Sequence, residues 1–266
     1  MCALGEDVGA QWARALAAAD DIHLHGQCSA LPTGTAGIYV DQAGRNCIVI
    51  GAGANSALSP AFVEAQRTPI AGSAVVLAQL ESPIDAVAAA LRIARARGVL
   101  TLLNPAPANV VVPPELWADV DVATPNETEF CAHLLHDCGE VMDPDLLGAC
   151  EDAELHSVCR RWQPAATVVV TLGASGCFIS HPAGNLRGDT AQHYRVPAAA
   201  VVPVDTTGAG DAFNGALAAS LARAPGRPFL DHVRFAAAFA GVSTESAGAA
   251  MSMPRRDEVE RRFGPF

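Results

Sequence analysis

Short apolar runs alternate with helix-length segments along most of this chain, and that alternation restricts the fold more than any other feature. Residues 74–79, 100–104, 121–124, 167–172 and 177–180 are rich in Val, Leu, Ile and Ala. They are too short for helices and lack the polar–apolar alternation of a strand with one wet face. Between them lie helix-like stretches at 83–97, closed by Gly98, at 127–135 and at 152–162. Strands buried on both sides and alternating with helices imply an α/β fold. Its central sheet is mainly parallel, with helices on both faces. Further strands are expected at 22–25, 190–197 and 201–205. Helices are expected at 7–19, 114–118, 210–224, 230–246 and 257–263. Residues 1–5 run into the first of these with no strand expected ahead of it. Ser59-Pro60 puts proline in the first turn of another helix. Apolar runs at 37–40 and 46–50 flank the turn-forming residues 41–45, a hairpin pattern. Residues 51–55 are expected to be a flexible loop. There is no internal repeat and no linker-like segment, so residues 1–266 are expected to form one domain.

Composition excludes several function classes. Half the residues are hydrophobic, yet no run approaches the ~20 uninterrupted apolar residues that cross a bilayer. The 17 basic and 28 acidic side chains leave a formal charge of −11 with no basic stripe, so nucleic acid is not an expected partner. Eight cysteines are scattered without CxxC spacing, which argues against a zinc site. No basic-then-apolar leader is visible, so reduced thiols in the cytoplasm are expected. The eight histidines form no metal-like spacing.

The run DTTGAGDAF at 205–213 follows an apolar segment and opens a long helix-like stretch. Small residues there let the backbone approach a ligand. The free N–H groups and dipole of a helix N-terminus attract an anion. Asp211, in the first turn, is placed to accept a proton from a hydroxyl that attacks phosphorus. The plain alternative is that Asp211 only caps the helix and the glycines only turn. Nine residues in this order at such a junction favour the chemical reading. Asn126 and Glu129 carry a similar ambiguity, since they also fit a capping pair on the following helix. Residues 171–176, TLGASG, lie at the end of an expected strand, where α/β sheets bind ligands.

The longer run DTTGAGDAFNGAL resembles the C-terminal motif of the PfkB carbohydrate kinase family, to which ribokinases belong. The resemblance implies a ribokinase-like fold with a small partial β lid at about residues 34–50. It implies that the amides of Gly208, Ala209, Gly210 and Asp211 form an anion hole. Asp211 would be the catalytic base and contact the sugar hydroxyl. Asn126 and Glu129 match the family's NxxE motif, with Asn126 towards the nucleotide and Glu129 holding Mg²⁺ through water. Thr171, Leu172, Gly173, Ala174, Ser175 and Gly176 match the loop over the ATP, which Gly210 and Asp211 also border. Glu81 matches a sugar-contacting glutamate, and Asn104 falls near the nucleotide or sugar. A K⁺ site is implied at Asp205, Thr207, Ser243, Ser246, Gly248 and Ser252. Ala237 stands where relatives often place His or Asn against adenine.

Segments 51–60, 79–83 and 104–108 match the ribokinase branch most closely. The implied reaction is ATP-dependent phosphorylation of D-ribose at O5. Fructose or a nucleoside as acceptor is the alternative, as is a non-catalytic nucleotide- or sugar-binding role. ATP and a small sugar are the expected partners, and family members often dimerise through lid strands. Residues 2–7, CALGED, match an internal part of the family pattern, a strand end followed by a helix. The family's first strand and its GG-x-GAN segment, at least ~30 residues, are therefore expected to precede Met1. With those residues outside the chain, little ribokinase activity is expected from these 266 residues alone.

Overall fold

A computed structural model describes residues 1–40 and 46–266. The turn expected at 41–45 lies outside the described residues. The strands are β1 (Cys2–Leu4), β2 (Gly26–Cys28), β3 (Thr35–Val40), β4 (Asn46–Gly51), β5 (Val75–Ala78), β6 (Leu100–Leu103), β7 (Val122–Ala123), β8 (Thr167–Thr171), β9 (Cys177–Ser180) and β10 (His193–Val196). The helices are α1 (Val8–Ala19), α2 (Pro60–Ala65), α3 (Arg67–Ala71), α4 (Ile84–Arg95), α5 (Pro114–Trp117), α6 (Glu127–Cys138), α7 (Asp152–Trp162), α8 (Ala209–Arg223), α9 (Phe229–Ser243) and α10 (Arg256–Phe263).

Six strands form the central sheet in the order β10-β9-β8-β7-β6-β5. β5 to β8 are parallel, and β9 runs antiparallel to both its neighbours. Neighbouring residues on one strand enter different cores, as the two-residue period of a strand requires. Leu103, Val168, Val170 and Phe178 pack with residues of α4, α6 and α7. Leu102, Val169, Cys177 and Ile179 pack on the other face with residues of α8 and α9. The apolar runs are continuous because both faces are covered. Local chemistry supports the helices. Asp7 caps α1 by accepting from the Ala10 N–H at 2.9 Å. α4 carries Asp85 in its first turn and Arg92 and Arg95 in its last, complementing the helix dipole.

β1 and β2 form a separate parallel pair, and β3 and β4 a separate antiparallel pair. A third apolar cluster ties Ala3 of β1 to Ala54, Leu58 and Val63 and to Ala86, Ala89 and Ile93 of α4.

Four local expectations are corrected. A strand, β1, does precede α1, held by its register with β2. The strand expected at 22–25 falls instead at Gly26–Cys28. There Gln27 anchors it by donating to the Ala57 carbonyl at 2.6 Å and accepting from the Ser59 N–H at 3.0 Å. Residues 51–55 are largely ordered into a 3-10 turn, Gly53–Ala57. The segment 201–205 is no strand, because its amides bond elsewhere. Val202 N–H donates to Glu245 Oε1, while Val204 and Asp205 N–H both donate to the Thr244 carbonyl.

The parallel strands end together at Ala78, Leu103, Ala123 and Thr171. The reversed β9 begins at that same edge, and β10 ends there. The chain segments leaving this edge build the site.

Candidate active site

α8 begins where Gly208 turns into the left-handed region, with φ +77°. Its position is crowded: a Cβ there would lie 3.1 Å from the Ala249 Cβ. The turn is fastened by Asp205, whose Oδ1 accepts the Thr207 N–H and whose Oδ2 accepts the Gly248 N–H, both at 2.9 Å. Those hydrogen bonds hold the Asp205 carboxyl below its ordinary pKa. Ala209 N–H is taken by the Thr206 carbonyl at 3.2 Å. The N–H groups of Gly208, Gly210 and Asp211 have no acceptor among the described residues. Unspent amides at the positive end of a 15-residue helix are an arrangement that attracts an anion.

A cleft of about 550 Å³ opens from this helix head. Thr171, Gly173, Ala174 and Gly176 of the β8–β9 hairpin form one wall. Only glycine fits at 176: its φ is +85°, and a Cβ would lie 2.0 Å from the Val196 carbonyl oxygen. The rest of the lining, with Ala198–Val201, Phe213, Ala237 and Ala240, is apolar and mostly alanine. Ala237 therefore contributes packing where a polar adenine partner was the family pattern. Among the described residues no Arg or Lys side chain lines the cleft.

Asn126 and Glu129 do form a capping box on α6, so the structural reading of this pair holds. Asn126 Oδ1 accepts the Glu129 N–H at 2.8 Å, and Glu129 Oε2 accepts the Asn126 N–H at 2.9 Å. Asn126 Nδ2 adds a bond to Glu129 Oε1 at 2.9 Å. The box does not exclude a ligand role, since Asn126 also lines the cleft. Glu129 is buried, and burial first, then the nearby charges of Glu127 and Asp211, raise its pKa. Its committed oxygens suit contact with Mg²⁺ through water rather than directly. Asp211 is reachable by solvent, yet the surrounding protein removes enough water to raise its carboxyl above the ordinary value.

Several expected residues lie apart from the cleft lining. Glu81 is exposed beyond β5, its N–H donating to Gln79 Oε1. The Leu172 side chain belongs to the core. Ser175 Oγ sits beside Gly148. Of the residues expected to hold K⁺, Ser243 Oγ donates to the Ala240 carbonyl and Ser252 Oγ to the Gly248 carbonyl. Asp205 does draw Thr207 and Gly248 together, and carbonyl and hydroxyl oxygens are the donor type a hard monovalent cation takes. Among the described residues no group of three or more His, Cys, Asp or Glu is placed to hold a metal ion.

Sequence reasoning missed Glu127. It lines the cleft beside Asn126, and burial raises its carboxyl's pKa. It lies in the first turn of α6, and no local spacing marks it, because the β8–β9 hairpin that brings it to the cleft lies far along the chain.

Comparison with known proteins agrees with this geometry. The model of the pfkB family of carbohydrate kinases matches residues 1–256. The chain is 35% identical over 232 residues to the ribokinase of Haemophilus influenzae, covering 85% of this chain and 68% of that one. It is 37% identical over 227 residues to the ribokinase of Mus musculus, covering 85% and 66%. The chain thus spans about two thirds of the length of these curated relatives. Among solved structures, Arabidopsis thaliana ribokinase in complex with ribose and ATP superposes with a TM-score of 0.81 at 27% identity, covering 98% of this chain and 80% of that one. Giardia lamblia ribokinase gives a TM-score of 0.83 at 26% identity, with 98% and 80% covered.

Proposed function

The chain belongs to the pfkB family of carbohydrate kinases, and we propose that it transfers the γ-phosphoryl group of ATP to O5 of D-ribose. The observation that carries this reading is the set of unspent amides at the head of α8 beside the Asp211 carboxylate. ATP lies along the cleft, its base against the alanine wall and its phosphates toward Gly208–Asp211. Asp211 accepts the proton of the ribose O5 hydroxyl as that oxygen attacks the γ-phosphorus, and ADP departs. The amides of Gly208, Gly210 and Asp211 donate to the oxygens over which the transition state spreads its charge. Mg²⁺ would offset the triphosphate charge, with Glu129 and Asn126 holding its water shell. A K⁺ ion would sit between residues 205–207 and 243–252 and support the loop behind the anion hole.

This reading takes residues 1–266 as one domain with β3 and β4 as a small lid. Ile38 and Ile50 are exposed on one face of that lid, and Tyr39 and Val49 on the other; we assign the lid to contact with a second copy of the chain. The seven described cysteines are all free, which supports placement in the cytoplasm. Among the described residues no helix is long and apolar enough to cross a membrane.

ADP release measured with ATP·Mg²⁺ and a panel of ribose, fructose and nucleosides tests the reaction. Ribose is expected to be the best acceptor, at the low rate expected of these 266 residues. Faster turnover of a nucleoside or fructose would move the acceptor assignment. Nucleotide binding without turnover on any acceptor would overturn the reaction itself.

A further inference from the structure

We propose that Thr124 and Asn214 are positioning residues that aim the Asp211 N–H into the anion hole. This inference rests on the phosphoryl-transfer reading above. The Gly210 carbonyl and the Asp211 N–H belong to one rigid peptide plane, so whatever holds the carbonyl sets the direction of the N–H. Asn214 Nδ2 donates to the Gly210 carbonyl oxygen at 2.9 Å. Asn214 Oδ1 in turn accepts from Thr124 Oγ1 at 2.6 Å, a contact between residues 90 apart in the chain. Both side chains are buried, Thr124 at 1% exposure and Asn214 at 5%. Thr124 is itself fixed to the sheet edge. Its N–H donates to the Leu103 carbonyl at 3.0 Å, and its carbonyl accepts from Asn104 Nδ2 at 2.8 Å.

Two further observations favour positioning over packing. A Cβ at Gly210 would meet nothing within 4 Å, so side-chain packing does not constrain this plane; in the first turn of α8 the Asn214 side chain adds a second bond to a carbonyl that otherwise has only the helical bond of its own turn. The buried side of α8 is otherwise almost apolar, with Ala212, Phe213, Ala216, Leu217 and Leu221. A carboxamide there costs stability unless its bonds are made, and these bonds run from the sheet edge to the anion hole. With the hydroxyl removed, Asn214 can rotate and the peptide plane loses its side-chain brace, keeping only the helical bond of the first turn. Asp211 itself is untouched.

Thr124→Val keeps the side-chain shape and removes the hydroxyl; Thr124→Ser keeps the hydroxyl. For Thr124→Val, kcat is expected to fall about 10- to 100-fold with KM for ATP and ribose within about threefold of wild type. Thr124→Ser should restore kcat to within about threefold. A readout independent of turnover is affinity for ADP·Mg²⁺ with and without aluminium fluoride and ribose. Thr124→Val should weaken the fluoride complex about tenfold or more and ADP alone less than about twofold. Wild-type kcat and fluoride affinity in a folded Thr124→Val protein would overturn the inference. So would equal losses for ADP and the fluoride complex, or a drop in melting temperature alone. Should Thr124→Val fail to fold, Asn214→Ala takes the same measurements with the same outcomes, since Thr124 Oγ1 then has the Leu103 carbonyl at 3.4 Å. A wild-type chain that binds ADP but neither turns over nor prefers the fluoride complex overturns the phosphoryl-transfer reading, and this inference with it.

Discussion

Replacing Gly208 with alanine strains the anion hole at the residue where its backbone turns. Gly208 holds φ +77°, and an L-residue in the left-handed region costs about 1–2 kcal/mol. The new Cβ would also sit 3.1 Å from Ala249 Cβ and 3.3 Å from Ala249 Cα. Relieving that contact means moving Ala249 by a few tenths of an ångström, which adds up to about 1 kcal/mol at the low end of overpacking costs. The total is about 1–3 kcal/mol. At about 2–4 °C per kcal/mol for a chain of about this size, melting should fall by roughly 2–12 °C. If the strain is released by reshaping the Gly208–Asp211 amides, kcat should fall by up to about 100-fold, at 1.4 kcal/mol per decade. Ala249→Gly in the same chain separates the two causes, because it removes the closer contact, to the Ala249 Cβ, but leaves the backbone strain. Thermal melting and ADP release on the four proteins of that cycle provide the assay. The expected result is partial recovery. Full recovery would show that the left-handed backbone carries no cost here, and a Gly208→Ala protein with wild-type melting and turnover would refute both parts of the estimate.

Two carboxylates give further tests. Burial raises the Asp211 pKa, and a base must be ionised, so the acid limb of kcat/KM should lie above the ordinary Asp value. Asp211→Asn should remove that limb and lower turnover by about 10²–10⁴-fold. A carboxyl whose pKa is raised by folding loses stability as pH climbs through its folded value, so Asp211→Asn should melt no lower than wild type at neutral pH. Asp205 has the opposite sign. Its depressed pKa gives stability that is fully present above the ordinary value of 3.8 and drains away as pH falls below it. Asp205→Asn should melt lower than wild type at pH 7 and converge with it at acid pH; parallel melting curves across that range would refute the assigned role of its two backbone bonds.

The sheet and its helices could be read from the sequence because strands buried on both faces must be continuously apolar, as 167–171 are. The helix after 208 was legible because its capping glycines and first-turn acid sit beside one another in the chain. What stayed hidden depends on partners distant in sequence. Residues 201–205 have the composition of a strand, yet Thr244 and Glu245 take their amides. β1 and β2 are three residues each, too short for periodicity, and only their mutual register defines them. Asn126 and Glu129 were legible as a capping pair and as a ligand pair because they are placed to be both. Glu127 carried no motif of its own, and only the approach of the β8–β9 hairpin brings it to the cleft. The Thr124–Asn214 bond joins a strand end to a helix turn with no trace in local spacing.

Among the described residues no Arg or Lys lines the cleft wall, which leaves the amides at the head of α8 as a neutral receptor inside an acidic protein. Amide dipoles do not titrate, and their attraction falls off faster with distance than that of a full charge. Long-range steering of a nucleotide into this cleft is therefore weak, and net repulsion from the surrounding carboxylates acts on any free polyphosphate. Selection happens at contact, after the ligand's charge has been offset by the cation it carries. Such a cleft admits metal-complexed nucleotide in preference to the bare anion, and raising the ionic strength eases entry where a lysine-lined site would lose affinity.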